Sequence, residues 1–190
     1  MVVPPAPSSW ESLWAPYDQA TYDFVLDHLE PDEVILDIGA GDLRLARQMA
    51  RRVRQVFAIE IDPVLNQSNR LDLPANLTLM EGDALELVFP ENISSGVLLM
   101  RHCTHYRGYA EKLRQAGARR LFTNARWRMG VECVDLLASR QSFEQIPFGW
   151  YACWCGSTGF KPGPVAEMTF ASLEIDYQVS ACPACSRRAD

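Results

Sequence analysis

Three acids and two glycines carry the first chemical signal in this chain. Asp37, Gly39 and Gly41 lie in VILDIGAG, and Glu60 follows 21 residues after Gly39, in VFAIEID. Asp83 closes a third stretch, NLTLMEGD. Glycines on either side of Ala40 let backbone turn tightly and approach a ligand closely. Carboxylates at strand ends offer acceptors to the hydroxyls and amines of a nucleoside. A second set is Arg101-His102-Cys103-Thr104-His105-Tyr106. A histidine titrating near neutrality can take a proton from a hydroxyl, amine or thiol, so His102 and His105 are the catalytic candidates. The third set is Cys153 with Cys155, and Cys182 with Cys185, two close pairs separated by 26 residues.

The first set needs strands and a helix to position it. Val34-Ile35-Leu36 reads as a strand buried on both faces and closed by Asp37. From Asp42 the pattern becomes helical, with Leu43, Ala46, Met49, Ala50 and Val53 on one face and Asp42 as a candidate cap. Val56-Phe57-Ala58-Ile59 is a second apolar strand, ending at Glu60. Strand, glycine turn, helix, strand and terminal acid make a nucleoside-binding half of a doubly wound sheet.

A dinucleotide site wants a third glycine where this chain has Arg44, and gives Asp37 no role. S-adenosylmethionine has no phosphate; it has a ribose diol, an adenine and a cationic tail. The stretch 34–62 resembles motifs I and II of the class I S-adenosylmethionine-dependent methyltransferases. AIEIDP and NLTLMEGDALEL are similar to the ribosomal RNA adenine dimethylase branch, and the resemblance covers roughly residues 26–87. It implies S-adenosylmethionine as cofactor. Asp37, Gly39, Ala40 and Gly41 would shape the tail pocket, Glu60 with Ile61 would hold the ribose, and Asp83 with Ala84 the adenine. Tyr17, in a segment that serves as a lid in many members, and Arg101 complete the implied cofactor set.

Beyond the resemblance, PVLNQSNRL reads as a short helix and NLTLME as the third strand. Residues 97–100 and 120–123 read as the fourth and fifth strands, 108–116 and 131–139 as helices. The expected fold is a Rossmann-like class I methyltransferase sheet with helices on both faces. A C-terminal antiparallel hairpin would follow, bearing a zinc knuckle. Residues 1–9 are expected to form a Pro/Ser-rich, poorly ordered start, 10–145 the cofactor-binding domain and 146–190 the cysteine-bearing hairpin.

Amino-methylating enzymes of nucleic acids carry Asn or Asp with Pro-Pro-Tyr after the fourth strand, where this chain has the segment 101–106. PENISSG at 90–96 is similar to a dimethylase loop but lies too soon after Asp83 to follow a fourth strand. Strands at 148–155 and 172–180, if antiparallel, bring Cys153, Cys155, Cys182 and Cys185 together. Four thiolates are the ligand set of a structural Zn2+, with no open position for catalysis.

The 190 residues suit one domain with a small appendage; 48% are hydrophobic and 22% charged. No apolar run approaches a membrane span, so no membrane partner is expected and the expected location is cytoplasmic. A net charge of −6 counts against a large nucleic acid as partner without excluding one. Two functions stand side by side. One is a methyltransferase acting on a small molecule, protein or RNA. The other is a non-catalytic binding or adaptor protein that meets a partner through its cysteine module.

Overall fold

The structure, a computed structural model, describes residues 19–101, 103–126 and 130–185. Helix α1 (Gln19–Asp27) leads into β1 (Val34–Ile38), α2 (Arg44–Met49), β2 (Gln55–Glu60), α3 (Pro63–Asn69) and β3 (Leu77–Glu81). Then come β4 (Ser95–Leu98), α4 (Tyr106–Gln115), β5 (Arg120–Thr123) and β6 (Glu132–Asp135). The last stretch holds β7 (Gly149–Cys153), β8 (Thr158–Lys161), a 3-10 turn, α5 (Phe170–Leu173) and β9 (Asp176–Val179).

The large sheet has the order β3-β2-β1-β4-β5-β6, parallel except for β6. Its centre is buried on both faces, as the continuous apolar runs require. On one face Ile35, Val56, Ala58, Val97 and Phe122 pack with Val25 and Leu26 of α1 and Ala46 and Met49 of α2. On the other, Leu36, Ile38, Ile59, Leu98 and Leu121 pack with Tyr106, Ala110 and Leu113 of α4. The close seat of α4 depends on Gly96, where a Cβ would lie 2.4 Å from Leu113 Cδ1.

The structure departs from the sequence pattern in two regions. Residues 132–135 form a strand, not part of a helix: the chain turns at Gly130 (φ +63°) and lies antiparallel on the free edge of β5, with Val134 opposite Leu121. Only Val134 of the four is buried, so the segment follows a strand's alternation rather than a helix face. Second, the cysteine module is not a simple antiparallel hairpin. It is a three-stranded sheet of order β8-β7-β9 in which β7 and β9 are parallel and β8 pairs antiparallel with β7. The connection 154–175 accommodates an extra strand and a short helix, enough chain to return β9 in the same direction as β7.

Candidate functional site

The turn after β1 is fixed by backbone. The N–H groups of Gly39 and Ala40 both donate to the Ile59 carbonyl, each at 2.9 Å, tying the turn to the neighbouring strand. Gly39 (φ +72°) and Gly41 (φ +59°) sit in the left-handed region that glycine adopts without strain. A Cβ on Gly39 would also meet Met100 Cε at 2.6 Å, so the turn and the residues after β4 face each other. Asp42 lies one position earlier than a true cap. Leu43 is the N-cap residue, at φ +63°, while Asp42 Oδ1 accepts from the Arg44 N–H at 3.1 Å and its carboxylate pairs with the Arg44 guanidinium.

Glu60 is 5% exposed and is held at both oxygens. Gly41 N–H donates to Oε2 at 2.7 Å and Asp62 N–H to Oε1 at 2.8 Å. A carboxylate offers about four acceptor directions, so each oxygen keeps one for a ligand hydroxyl. Two asparagines of α3 secure the same corner. Asn69 Nδ2 donates to the Gly41 carbonyl at 2.7 Å, and Asn66 Nδ2 to the Glu60 carbonyl at 2.9 Å. Neither asparagine was singled out in the sequence; their only signal is the helix following an acid at a strand end.

Asp37 is 4% exposed, with no hydrogen-bond or ion-pair partner among the described residues. Burial first, and the neighbouring negative charge of Glu60 second, push its carboxyl up to about 7. A buried acid lacking a cation is costly in its charged form; the cationic tail of S-adenosylmethionine would supply that cation. The residues present therefore fit this cofactor: a bare turn that admits close approach, an oriented carboxylate for a diol and a buried acid with no cation beside it among the described residues.

Asp83 Oδ1 accepts from Leu85 N–H at 2.8 Å, which orients its side chain just beyond β3, with Ala84 buried next to it. The loop is pinned by a residue the sequence did not reveal. Lys112 Nζ reaches over from α4 and donates to the carbonyls of Ala84, Leu85 and Leu87 at 2.7, 2.6 and 2.8 Å. Ile61, beside Glu60, is 64% exposed and offers an apolar face at the same edge.

The acceptor side is less built. Tyr17 and His102 lie outside the described residues. Arg101 is exposed. His105 is the exposed N-cap residue of α4, and its ring meets Tyr109 edge-on at 6.4 Å. Cys103 is buried in the core, away from any metal-ligand group among the described residues. Asn124, just past β5 and next to the end of β4, is 3% exposed, and neither of its side-chain polar atoms is hydrogen-bonded among the described residues. PENISSG leads into β4 rather than out of it, since β4 begins at Ser95.

At the far end of β7 and β9, parallel strands deliver both cysteine pairs to one place. The sulfurs of Cys153, Cys155, Cys182 and Cys185 all lie within 4.8 Å of one another. Cys153 and Cys185 are 3.6 Å apart, Cys155 and Cys182 3.8 Å, and Cys182 and Cys185 3.9 Å. A tetrahedron of sulfurs around zinc at ~2.3 Å has edges of about 3.8 Å.

A parallel sheet that reverses its order beside a glycine turn, with acids at the ends of β1 and β2, defines a nucleoside-cofactor domain of the class I methyltransferase kind. The family model for ribosomal RNA adenine dimethylase matches residues 17–118, more than half of the chain. The chain belongs to that family of S-adenosylmethionine-dependent methyltransferases. Among its curated relatives is a probable ribosomal RNA small subunit methyltransferase A of Methanosarcina barkeri, 45% identical over 65 residues. That match covers 33% of this chain and 23% of the relative. An rRNA adenine N-6-methyltransferase of Limosilactobacillus reuteri is 36% identical over 69 residues, covering 35% of this chain and 26% of the relative. The chain thus spans about a quarter of the length of these relatives. Among solved structures, precorrin 8W decarboxylase of Methanobacterium thermoautotrophicum shares the fold. The TM-score is 0.50 at 24% identity, with 59% of this chain and 65% of that one covered. No described helix is long and apolar enough to cross a membrane.

Proposed function

We propose that this protein is a methyltransferase that uses S-adenosylmethionine and takes an adenine amine of ribosomal RNA as its acceptor. The family match over residues 17–118 carries this reading, and the two rRNA-directed relatives support the acceptor class. The net charge of −6, which counts against RNA, describes the whole chain and not the face that meets the substrate. The adaptor reading is the less favoured, because the family and its relatives are enzymes.

Bound S-adenosylmethionine would supply an electrophilic methyl group. The chain's own residues would orient and shield. Glu60 would accept from the ribose hydroxyls with the oxygen directions left open by Gly41 and Asp62, Asp37 would balance the cationic tail, and Asp83 would accept from the adenine amine. The bare Gly39 backbone would let the tail lie close to Met100. On the acceptor side, His102 and His105 are the proposed proton acceptors as the amine loses its hydrogen, and Arg101 borders the cofactor. In-line placement of nucleophile and methyl does much of the work in such a transfer.

The four cysteines would hold a structural Zn2+, with every coordination position filled by sulfur and none left for catalysis. The observed sulfur separations support this reading.

The test is incubation of the full chain with methyl-labelled S-adenosylmethionine and small-subunit ribosomal RNA, followed by nucleoside analysis. Label in methylated adenosine is expected, and loss of it in the His102→Ala/His105→Ala double variant would assign the acceptor side. Label in protein or small molecules instead would overturn the acceptor class.

A further inference from the structure

We propose that the four-cysteine centre, loaded with zinc, is a brace for the acceptor side of the pocket. It holds Trp154 against the start of α4 and so fixes the segment that follows β4. The inference rests on the proposed function for the location of the acceptor site and for the zinc held by the four cysteines.

Cys153 and Cys155 flank Trp154, so two ligands to one metal would immobilise the residue between them. The local backbone is already turned for this. Cys153 N–H donates to the Ser157 carbonyl at 2.8 Å, Gly156 N–H to the Cys153 carbonyl at 2.9 Å and Trp154 N–H to the Val179 carbonyl at 2.9 Å. Cys153 and Cys155 belong to the module's own core, while the Trp154 ring leaves it and packs on the α4 cluster. It meets Tyr106 edge-on at 6.4 Å, its Nε1–H donates to Glu111 at 3.2 Å, and the Arg140 guanidinium covers it at 4.1 Å.

Tyr106 is the first residue of α4, fully buried and directly after His105. Its hydroxyl has no hydrogen-bond partner among the described residues, so contacts hold the ring there. Gly156 supplies much of that contact: a Cβ there would lie 2.9 Å from Tyr106 Cβ, and its φ of +88° is a glycine conformation. A second tie runs through buried Arg126 at the end of β5. It pairs with Glu132, donates to Gln178 of β9 at 2.8 Å and lies 5.7 Å from the Tyr106 ring.

Four sulfurs bound to one zinc would be tied to a common point, and a soft tetrahedral sulfur cage suits that ion. Metal loss would therefore let the two cysteine loops separate and would release Trp154 from both sides. The glycine turn, held by β2 and α3, would stay in place.

The test compares hydrogen exchange in the zinc-loaded full chain, the chelator-stripped chain and the Trp154→Ala variant. Metal analysis and S-adenosylmethionine titration accompany each. Stripping and Trp154→Ala are both expected to raise exchange over residues 103–110 by about tenfold or more, while residues 34–41 and 55–62 stay protected. Cofactor affinity should stay within about twofold, and Trp154→Phe should restore most of the protection. In methyl transfer, the loss should appear in kcat rather than in the cofactor KM. Unchanged exchange at 103–110 after metal loss would overturn the inference. So would purified protein that binds no zinc, or stripping that exposes β1 equally. If zinc-loaded protein methylates no RNA, the acceptor reading fails while the exchange result still decides the brace.

Discussion

The cofactor corner and the cysteine module both gather ligating groups in one place, but they do it by opposite means. At the cofactor corner the backbone does the holding. Two N–H groups of the turn bond to β2, two more orient Glu60, and α3 asparagines lock the carbonyls. In the cysteine module four side chains from two loops far apart in sequence converge at the ends of paired strands, their sulfurs within 4.8 Å of one another. The first site is preorganised by the fold. The second, on the zinc reading proposed above, would be completed by its ligand. A pocket of the first kind survives local substitutions in graded steps; a centre of the second kind fails as a unit.

That contrast is tested most severely at Cys182. Cys182→Ser should abolish stoichiometric zinc and lower thermal stability by about 3 kcal/mol or more, read by calorimetry with metal analysis. A variant that keeps one zinc would remove the distinction. At the other site, Glu60→Ala should weaken S-adenosylmethionine binding by about 2–4 kcal/mol, since charge-assisted hydrogen bonds to the ribose are lost, while the zinc content stays unchanged. Equal affinity in the two proteins would remove Glu60 from the pocket.

A smaller effect comes from Asp37, whose carboxyl is raised from 3.8 to about 7. Because the folded value lies above the unfolded one, this group's contribution to stability is fully present below about pH 4 and is lost as pH rises toward and through 7. A bound cation reverses the balance by favouring the carboxylate. The thermal shift produced by S-adenosylmethionine should therefore grow between pH 6 and about 7.5, and binding should release a proton in that range. Asp37→Asn should flatten both; a pH-independent shift in the wild type would contradict the placement of Asp37. Smallest is Lys112→Met, which frees three carbonyls of the Asp83 loop and should cost cofactor affinity about 1 kcal/mol, with the cysteine module unaffected.

The same contrast explains what could be read from the sequence. Glycine spacing, apolar runs and terminal acids are local patterns, and they placed β1, β2, β3, β5 and α3 to within about two residues. The family resemblance rested on that stretch. What escaped was set by long-range contact. Lys112 looks like any helix-surface lysine until α4 is seen to cross the Asp83 loop. Residues 132–135 become a strand only because β5 has a free edge. The cysteine spacing announced a four-sulfur centre, yet its geometry came from parallel strands that the pattern could not orient. Trp154, between two cysteines, carries no signal in the sequence for its contact with the α4 cluster.

The most direct test of the central claim is calorimetric titration of the zinc-loaded full chain with S-adenosylmethionine at pH 7.5. The account predicts a single site of micromolar affinity. A folded, metal-replete protein that gives no binding heat and no thermal shift would show that the corner formed by Asp37, Gly39, Gly41 and Glu60 does not serve the cofactor, and would contradict the account.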